Sequence, residues 1–196
     1  MQTRSQQTID RIETAAMALI AREGIGRLTM DAVAREAGVS KGGVLHHFRS
    51  KDALVAHLAT RKLQSVRDGF AAESVKFEGQ PAPALRGMVD HAALTYDQDD
   101  GFSRALLVAA VENSASLAEF RMLFQDGLAQ VRHESGDPDL STALLFAVIG
   151  LQISRTLGFA QLDTDAAAQL FERLQRVAIT AGTSEADVAP SVASTD

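Results

Sequence analysis

Lys41 and Lys51 each follow a serine, Ser40 and Ser50, that can cap a helix by accepting hydrogen bonds from the N–H groups of its first turn. Lys41 would open a short helix, from which its ammonium can reach either a phosphate or a guanine edge of duplex DNA. Lys51 falls in the first turn of the next helix, where the macrodipole offers a cation no benefit. That placement points it to an external anion such as a phosphate. Thr29 can cap a preceding helix and touch the same anionic backbone, and Arg27 and Arg49 are close enough in sequence to add charge. Between the lysines stand Gly42 and Gly43, each costing a helix roughly 1 kcal/mol relative to alanine. A backbone bare of side chains at that point can come close to a phosphate.

The histidines offer a competing chemistry. His46, His47 and His57 are clustered in sequence, but adjacent helical residues point about 100° apart, so His46 and His47 do not converge on one metal ion. His46 is a candidate DNA contact. His47, before Phe48, either packs, bonds the backbone at the helix end or touches DNA, and Phe48 is a core residue. There is no cysteine, which removes disulfides, thiolate metal sites and a cysteine nucleophile. A metal-spaced His/Glu set, a nucleophile elbow and a phosphate loop are also missing from the sequence. The expectation is a binding protein that is not an enzyme, with no cofactor and no metal.

The elements that must hold these residues lie in Leu28 to Leu54. Met30, Val33, Ala34 and Ala37 keep helical spacing, Gly38 suits a left-handed helix end, and Val39 supplies an apolar plug. Ser40 then starts a second helix to about His47. This is a helix-turn-helix with Lys41 to His47 as its recognition helix.

Charge supports the division. The net charge of −6 hides ten Lys/Arg against six Asp/Glu in residues 1–62, or +4, with −10 in the remainder. Such asymmetry suggests an anionic partner for the basic part. The opening residues, MQTRSQQTID, hold no apolar stretch of signal-peptide length, and the longest apolar run, Ala143 to Leu151, is short of the ~18–20 residues of a membrane span. The expectation is a soluble, cytoplasmic protein with no membrane partner.

Apolar spacing predicts further helices over about 5–23, ending at Gly24, and from Ser50 to about residue 75. Glu78 to Pro83 is a break, followed by helices over 84–98 and from Phe102. Ser116 is the expected cap of the next helix, and Pro138 follows a turn at Gly136-Asp137. The last two helices are expected over about 139–160 and 165–181. No two-residue alternation is evident, so the fold class is all-α with about nine helices. The division is a three-helix head over 1–52, a helical domain over 53–182 and a flexible tail over 183–196.

With these residues in place, the sequence resembles the tetracycline-repressor (TetR) family of bacterial transcription regulators. The resemblance is specific from about Ile9 to Leu54. It rests on a first helix ending at Gly24, then Leu28-Thr29, Val33-Ala34, Ala37-Gly38-Val39-Ser40, Gly42, His47-Phe48 and Ser50-Lys51-Asp52-Ala53-Leu54. It implies a homodimer whose heads bind a palindromic operator in double-stranded DNA, and a small-molecule effector in the C-terminal domain that changes the separation of the heads. The chain departs from the family at one place. Where the family often has a tyrosine two residues before the histidine of its His-Phe pair, this chain has Leu45. Leu45 either packs, the favoured reading, or meets a thymine methyl, and His46 becomes the substitute for the missing phosphate contact.

In the C-terminal part, polar residues interrupt apolar helices. Glu112, Asn113, Gln152 and Arg155, with His91 and Tyr96 as weaker candidates, either line an effector site or make internal or interface bonds, the second being favoured. The small residues Ala143, Ala147, Gly150 and Ala166 to Ala168 suit close approach of the last two helices of two subunits. The expected function is a ligand-responsive repressor, with an activator or a co-ligand-dependent regulator of the same family as the alternative.

Overall fold

In the computed structural model, residues 4–98, 101–112 and 114–183 are described, except the side chains of 108–112, 114–117 and 119. Among them are nine α-helices and no strand. They are α1 (Arg4–Glu23), α2 (Met30–Ala37), α3 (Lys41–His47), α4 (Lys51–Val75), α5 (Pro83–Thr95), α6 (Phe102–Glu112), α7 (Ser114–His133), α8 (Pro138–Leu157) and α9 (Thr164–Gly182). The chain forms two compact units. The first takes in α1 to α3, α4 as far as Ser65, α6 and α7 as far as Met122; the second takes in α4 from Val66, α5, α7 from Leu123, α8 and α9.

In the first unit, α1 stops at Gly24, which takes φ 81°. A 3-10 turn over Ile25–Arg27, not evident from the sequence, leads to Thr29. The Thr29 hydroxyl accepts from Ala32 N at 3.1 Å and starts α2. Gly38 ends it in the left-handed region (φ 62°, ψ 40°), and Val39 N returns to Ala34 O at 3.0 Å. The turn is held from outside as well. Arg11 of α1 donates from Nη2 to Ala37 O (2.6 Å) and Gly38 O (3.0 Å), setting a cation on the carbonyl end of α2 where the dipole favours it. Ile12, Ala16, Leu19 and Ile20 bury against Leu28, Val33, Ala37, Val44, Phe48, Leu54 and Leu58. Phe102 and Leu106 of α6 join the same core. The entry to α6 is tight: a Cβ on Gly101 (φ 54°) would stand 3.2 Å from Ala21 O.

In the second unit, α5 starts at Pro83, after Ala82 in a left-handed conformation (φ 48°, ψ 54°) that costs a residue with a Cβ about 1–2 kcal/mol. Glu134, in the turn just after α7, compensates by accepting from Ala84 N at 2.9 Å in the first turn of α5. Asp137 caps α8 by accepting from Asp139 N and Leu140 N, with Pro138 at the first helical position as expected. Ser141 is fully buried. Its Oγ lies 2.6 Å from that of Ser135, which donates to Ala181 O at 2.7 Å and so ties α8 to the end of α9.

Several helix boundaries differ from expectation, among them that of the helix expected over 84–98, which ends at Thr95. Ser116 does not cap α7, which has already begun at Ser114. The helix expected to reach residue 160 stops at Leu157, because Gly158 turns left-handed (φ 75°) and Phe159 N closes on Ser154 O at 2.8 Å. The last helix extends one residue further at each end, starting at Thr164 behind the cap Asp163. Residues 184–196 of the expected tail lie outside the described residues.

Candidate nucleic-acid interface

Ser40 accepts from Gly43 N at 3.0 Å and so starts α3, a helix of seven residues that two glycines would otherwise disfavour. Its orientation is fixed by Val44 and by Phe48 at its end, both buried in the core of the first unit. Lys41, Gly42, Leu45 and His46 are consequently exposed, and Gly43 and His47 are half-buried. Leu45 differs from expectation. Packing is its favoured reading from sequence, yet it is 38% exposed, because Val44 next to it takes the inward place. The imidazoles of His46 and His47 stand 5.1 Å apart edge to face.

The start of α3 meets the start of α2. Lys41 Nζ donates to Asp31 Oδ2 at 2.9 Å, and Asp31 follows Thr29 by two residues. Thr29 and Arg27 are exposed, as is Arg49, while Lys51 is half-buried at the first position of α4. Ser50 Oγ accepts from Ala53 N at 3.1 Å, so this cap also forms. The other acid of α2, Glu36, lies toward the opposite end of the helix. It and Glu23 accept hydrogen bonds from Arg22 and hold that guanidinium's pKa above its ordinary value.

A buried carboxylate behind this surface escaped sequence reasoning. Glu13 is the one charged side chain in the cores of the described residues. Its oxygens accept from His57 Nε2 at 2.6 Å and from Arg61 Nη1 at 3.2 Å. The His57 ring in turn packs 5.0 Å from that of Phe48. His57, weighed from sequence as part of a histidine cluster, is therefore paired with an acid of α1 and set against the end of α3. Among the described residues no group of three or more His, Asp or Glu side chains is arranged to hold a metal ion.

In the second unit, the polar residues flagged from sequence have internal partners. Gln152 donates from Nε2 to Ala92 O (2.8 Å) and Thr95 Oγ1 (3.1 Å). Tyr96 is buried, and its hydroxyl accepts from Leu162 N at 3.3 Å in the α8–α9 connection. The Arg155 guanidinium lies 5.9 Å from the Tyr96 ring centroid, and His91 packs edge-on against Phe70 at 5.1 Å. The side chain of Glu112 and the whole of Asn113 lie outside the described residues. A cavity of ≈ 500 Å³ opens elsewhere in this unit, between α4, α5 and α7. Phe70, Val75, Met88 and Leu123 give it apolar walls, and Arg67, Ser74, Asp126, Gln130 and Glu134 give it polar groups.

Comparison with known proteins places both parts of the chain. Residues 12–58 match the model of the bacterial regulatory proteins of the tetR family. Residues 82–178 match that of the tetracyclin repressor-like C-terminal domain. The HTH-type transcriptional regulator AcrR of Shigella flexneri is 25% identical over 87 residues, 44% of this chain and 40% of that protein. SrpR of Pseudomonas putida, another HTH-type transcriptional regulator, is 39% identical over 59 residues, 30% of this chain and 28% of that one. The chain thus spans less than half the length of these curated relatives. Among solved structures, a putative TetR-family transcriptional regulator from Mesorhizobium loti superposes with a TM-score of 0.72 at 18% identity, over 91% of this chain and 96% of that one. A putative transcriptional regulator from Streptomyces coelicolor A3(2) gives 0.68 at 21% identity, over 88% and 98%. At these identities the structural likeness is one of fold.

Proposed function

The chain belongs to the tetR family of bacterial regulatory proteins, and we propose that it is a ligand-responsive repressor that binds a palindromic operator as a homodimer and is released by a small-molecule effector. The observation that carries the DNA reading is the outward face of α3. A cation at its capped start, Gly42, Leu45 and His46 face solvent with Gly43 half-buried between them, while Val44 and Phe48 anchor the opposite side. On this reading Lys41 reaches a base edge or phosphate, Leu45 meets a thymine methyl, and His46 and His47 contact DNA beside it. Thr29, Ser40, Arg27 and Lys51 serve the phosphates, and Gly42 and Gly43 let the backbone approach them. Residues 1–52 carry the DNA contacts, and 53–182 carry dimerisation and effector binding.

The reading of the dimer rests on α8. Ala143, Phe146, Ala147, Gly150 and Ile153 are all exposed at helical spacing, Phe146 by 53%. A stripe of apolar and small residues lets a second helix approach closely. By length and composition α8 would suffice to cross a membrane. Its other face, however, packs Leu144, Leu145 and Val148 in this unit's own cores and carries Ser141 and Gln152 with polar partners. A matching helix pair from a second subunit therefore suits it better than lipid, consistent with a cytoplasmic protein. Val177 and Ile179 of α9 are exposed as well and extend the surface. Two heads joined in this way would present recognition helices to successive major grooves, about 34–36 Å apart.

The effector reading rests on the cavity between α4, α5 and α7, whose apolar walls and few polar groups suit a small organic molecule. Such a molecule acts only through unequal affinity for the DNA-competent and the released states. The test of the reading is retardation of duplex DNA from upstream of the protein's own gene, with loss of the complex as salt rises.

A further inference from the structure

We infer that Asp31 determines operator specificity, by holding Lys41 for a guanine and withdrawing it from the phosphates. The inference rests on the DNA-binding reading of α3 given above. An acid on a surface that meets DNA is unfavourable in itself, since it repels the phosphates that supply most sequence-independent affinity. Asp31 is nevertheless exposed, and its carboxylate accepts from Lys41 Nζ at 2.9 Å, with the two side chains 62% and 55% exposed. Its place in the first turn of α2 explains a favourable term with the helix dipole. That term does not require it to pair with the first residue of α3.

The pairing has two chemical consequences. An ammonium has three donors and no acceptor. With one spent on Asp31, two remain, which matches the O6 and N7 acceptors that guanine shows in the major groove. The remaining acceptor capacity of the carboxylate suits the N4 amino group of the cytosine in the same pair. At a phosphate, by contrast, the carboxylate beside Lys41 cancels its attraction. Asp31 thus favours one class of base pair and lowers affinity for DNA in general, so that specificity comes partly from a repulsive element.

The test is selection of binding sites from a random duplex library by the full-length protein and by Asp31→Asn, Asp31→Ala and Lys41→Met. Affinity for a selected site and for a scrambled duplex is then measured over a range of KCl. The wild type is expected to select a G·C pair at one position in each half-site, discriminated by about tenfold. In both Asp31 variants that preference falls, affinity for scrambled duplex rises, and the salt dependence steepens by a slope of about 1. Lys41→Met loses the same base preference and no other. Unchanged selection and salt slope in the Asp31 variants would overturn the inference while leaving the DNA-binding reading intact. So would a parallel fall of both affinities with melting temperature, which marks a structural role in α2. Failure of the wild type to retain any duplex would overturn the reading and the inference together.

Discussion

His57 Nε2 stands 2.6 Å from Glu13 Oε1, joining α4 to a carboxylate of α1 that is only 6% exposed. An ionised carboxylate only accepts, so the imidazole donates, and Arg61 donates to the same group. The two donors are more exposed than the acceptor (37% and 57%) and can turn to water when it is lost. The acid, lacking its donors, cannot. Glu13→Leu is therefore expected to cost about 1 kcal/mol or less, the exposed partners being screened. The double variant His57→Leu with Arg61→Leu leaves a buried carboxylate unpaired and costs about 1–3 kcal/mol or more. Urea denaturation decides; a larger loss for Glu13→Leu would contradict the pairing.

Gly42 separates folding from binding. A Cβ there meets nothing closer than Ser40 Oγ at 3.9 Å, so Gly42→Ala should raise stability by up to about 1 kcal/mol. The same methyl keeps the backbone away from a phosphate, so affinity for duplex DNA should fall. Stability and affinity rising together would show that no close backbone approach occurs at this position. At Gly43 the built Cβ lies 3.3 Å from the capping Ser40 Oγ, and the gain in stability should be smaller.

Much of the head is legible in the sequence because its devices are local. Thr29, Gly38, Ser40 and Ser50 each act on groups within four residues, and the spacing of Val33, Ala34 and Ala37 fixes the buried side of α2. The Arg11 clamp spans 26 residues and the Glu13–His57 pair 44, and no pattern along the chain announces either. Glu13 resembles any surface acid of an amphipathic helix until α4 is placed against it. Leu45 is misread because α3 has too few apolar residues to set its phase. Polarity inside α8 correctly marks Gln152 as bonded, but its acceptor, Ala92 O, lies 60 residues away.

Tyr96 distinguishes a structural hydroxyl from a ligand contact. Tyr96→Phe keeps the ring against Phe171, 5.5 Å away, and removes only the acceptor of Leu162 N. A loss of about 0.5–1.5 kcal/mol in thermal denaturation is expected. No change in stability would mean that water replaces the hydroxyl and that Tyr96 is open to another role.

The exposed stripe of α8 predicts an assembly. Phe146→Asp should convert a dimer to a monomer in sedimentation equilibrium and abolish the concentration dependence of Tm that a dimer shows. An unchanged dimer mass would place the interface elsewhere.

Lys51 gives a quantitative check on the phosphate contacts. Lys51→Ala should weaken binding to all duplexes alike and make the salt dependence shallower by a slope of about 1. An unchanged slope would remove Lys51 from the interface.

The most direct measurement of the whole account is hydroxyl-radical footprinting of the protein on the DNA around its own gene. The account predicts two protected half-sites, related by a palindrome and centred about 34–36 Å apart, or a multiple of that distance, along one face of the duplex. Protection should weaken equally at both half-sites in Lys41→Met and vanish together at both at high salt. A single unpaired protected segment, or no protection in low salt, would contradict it.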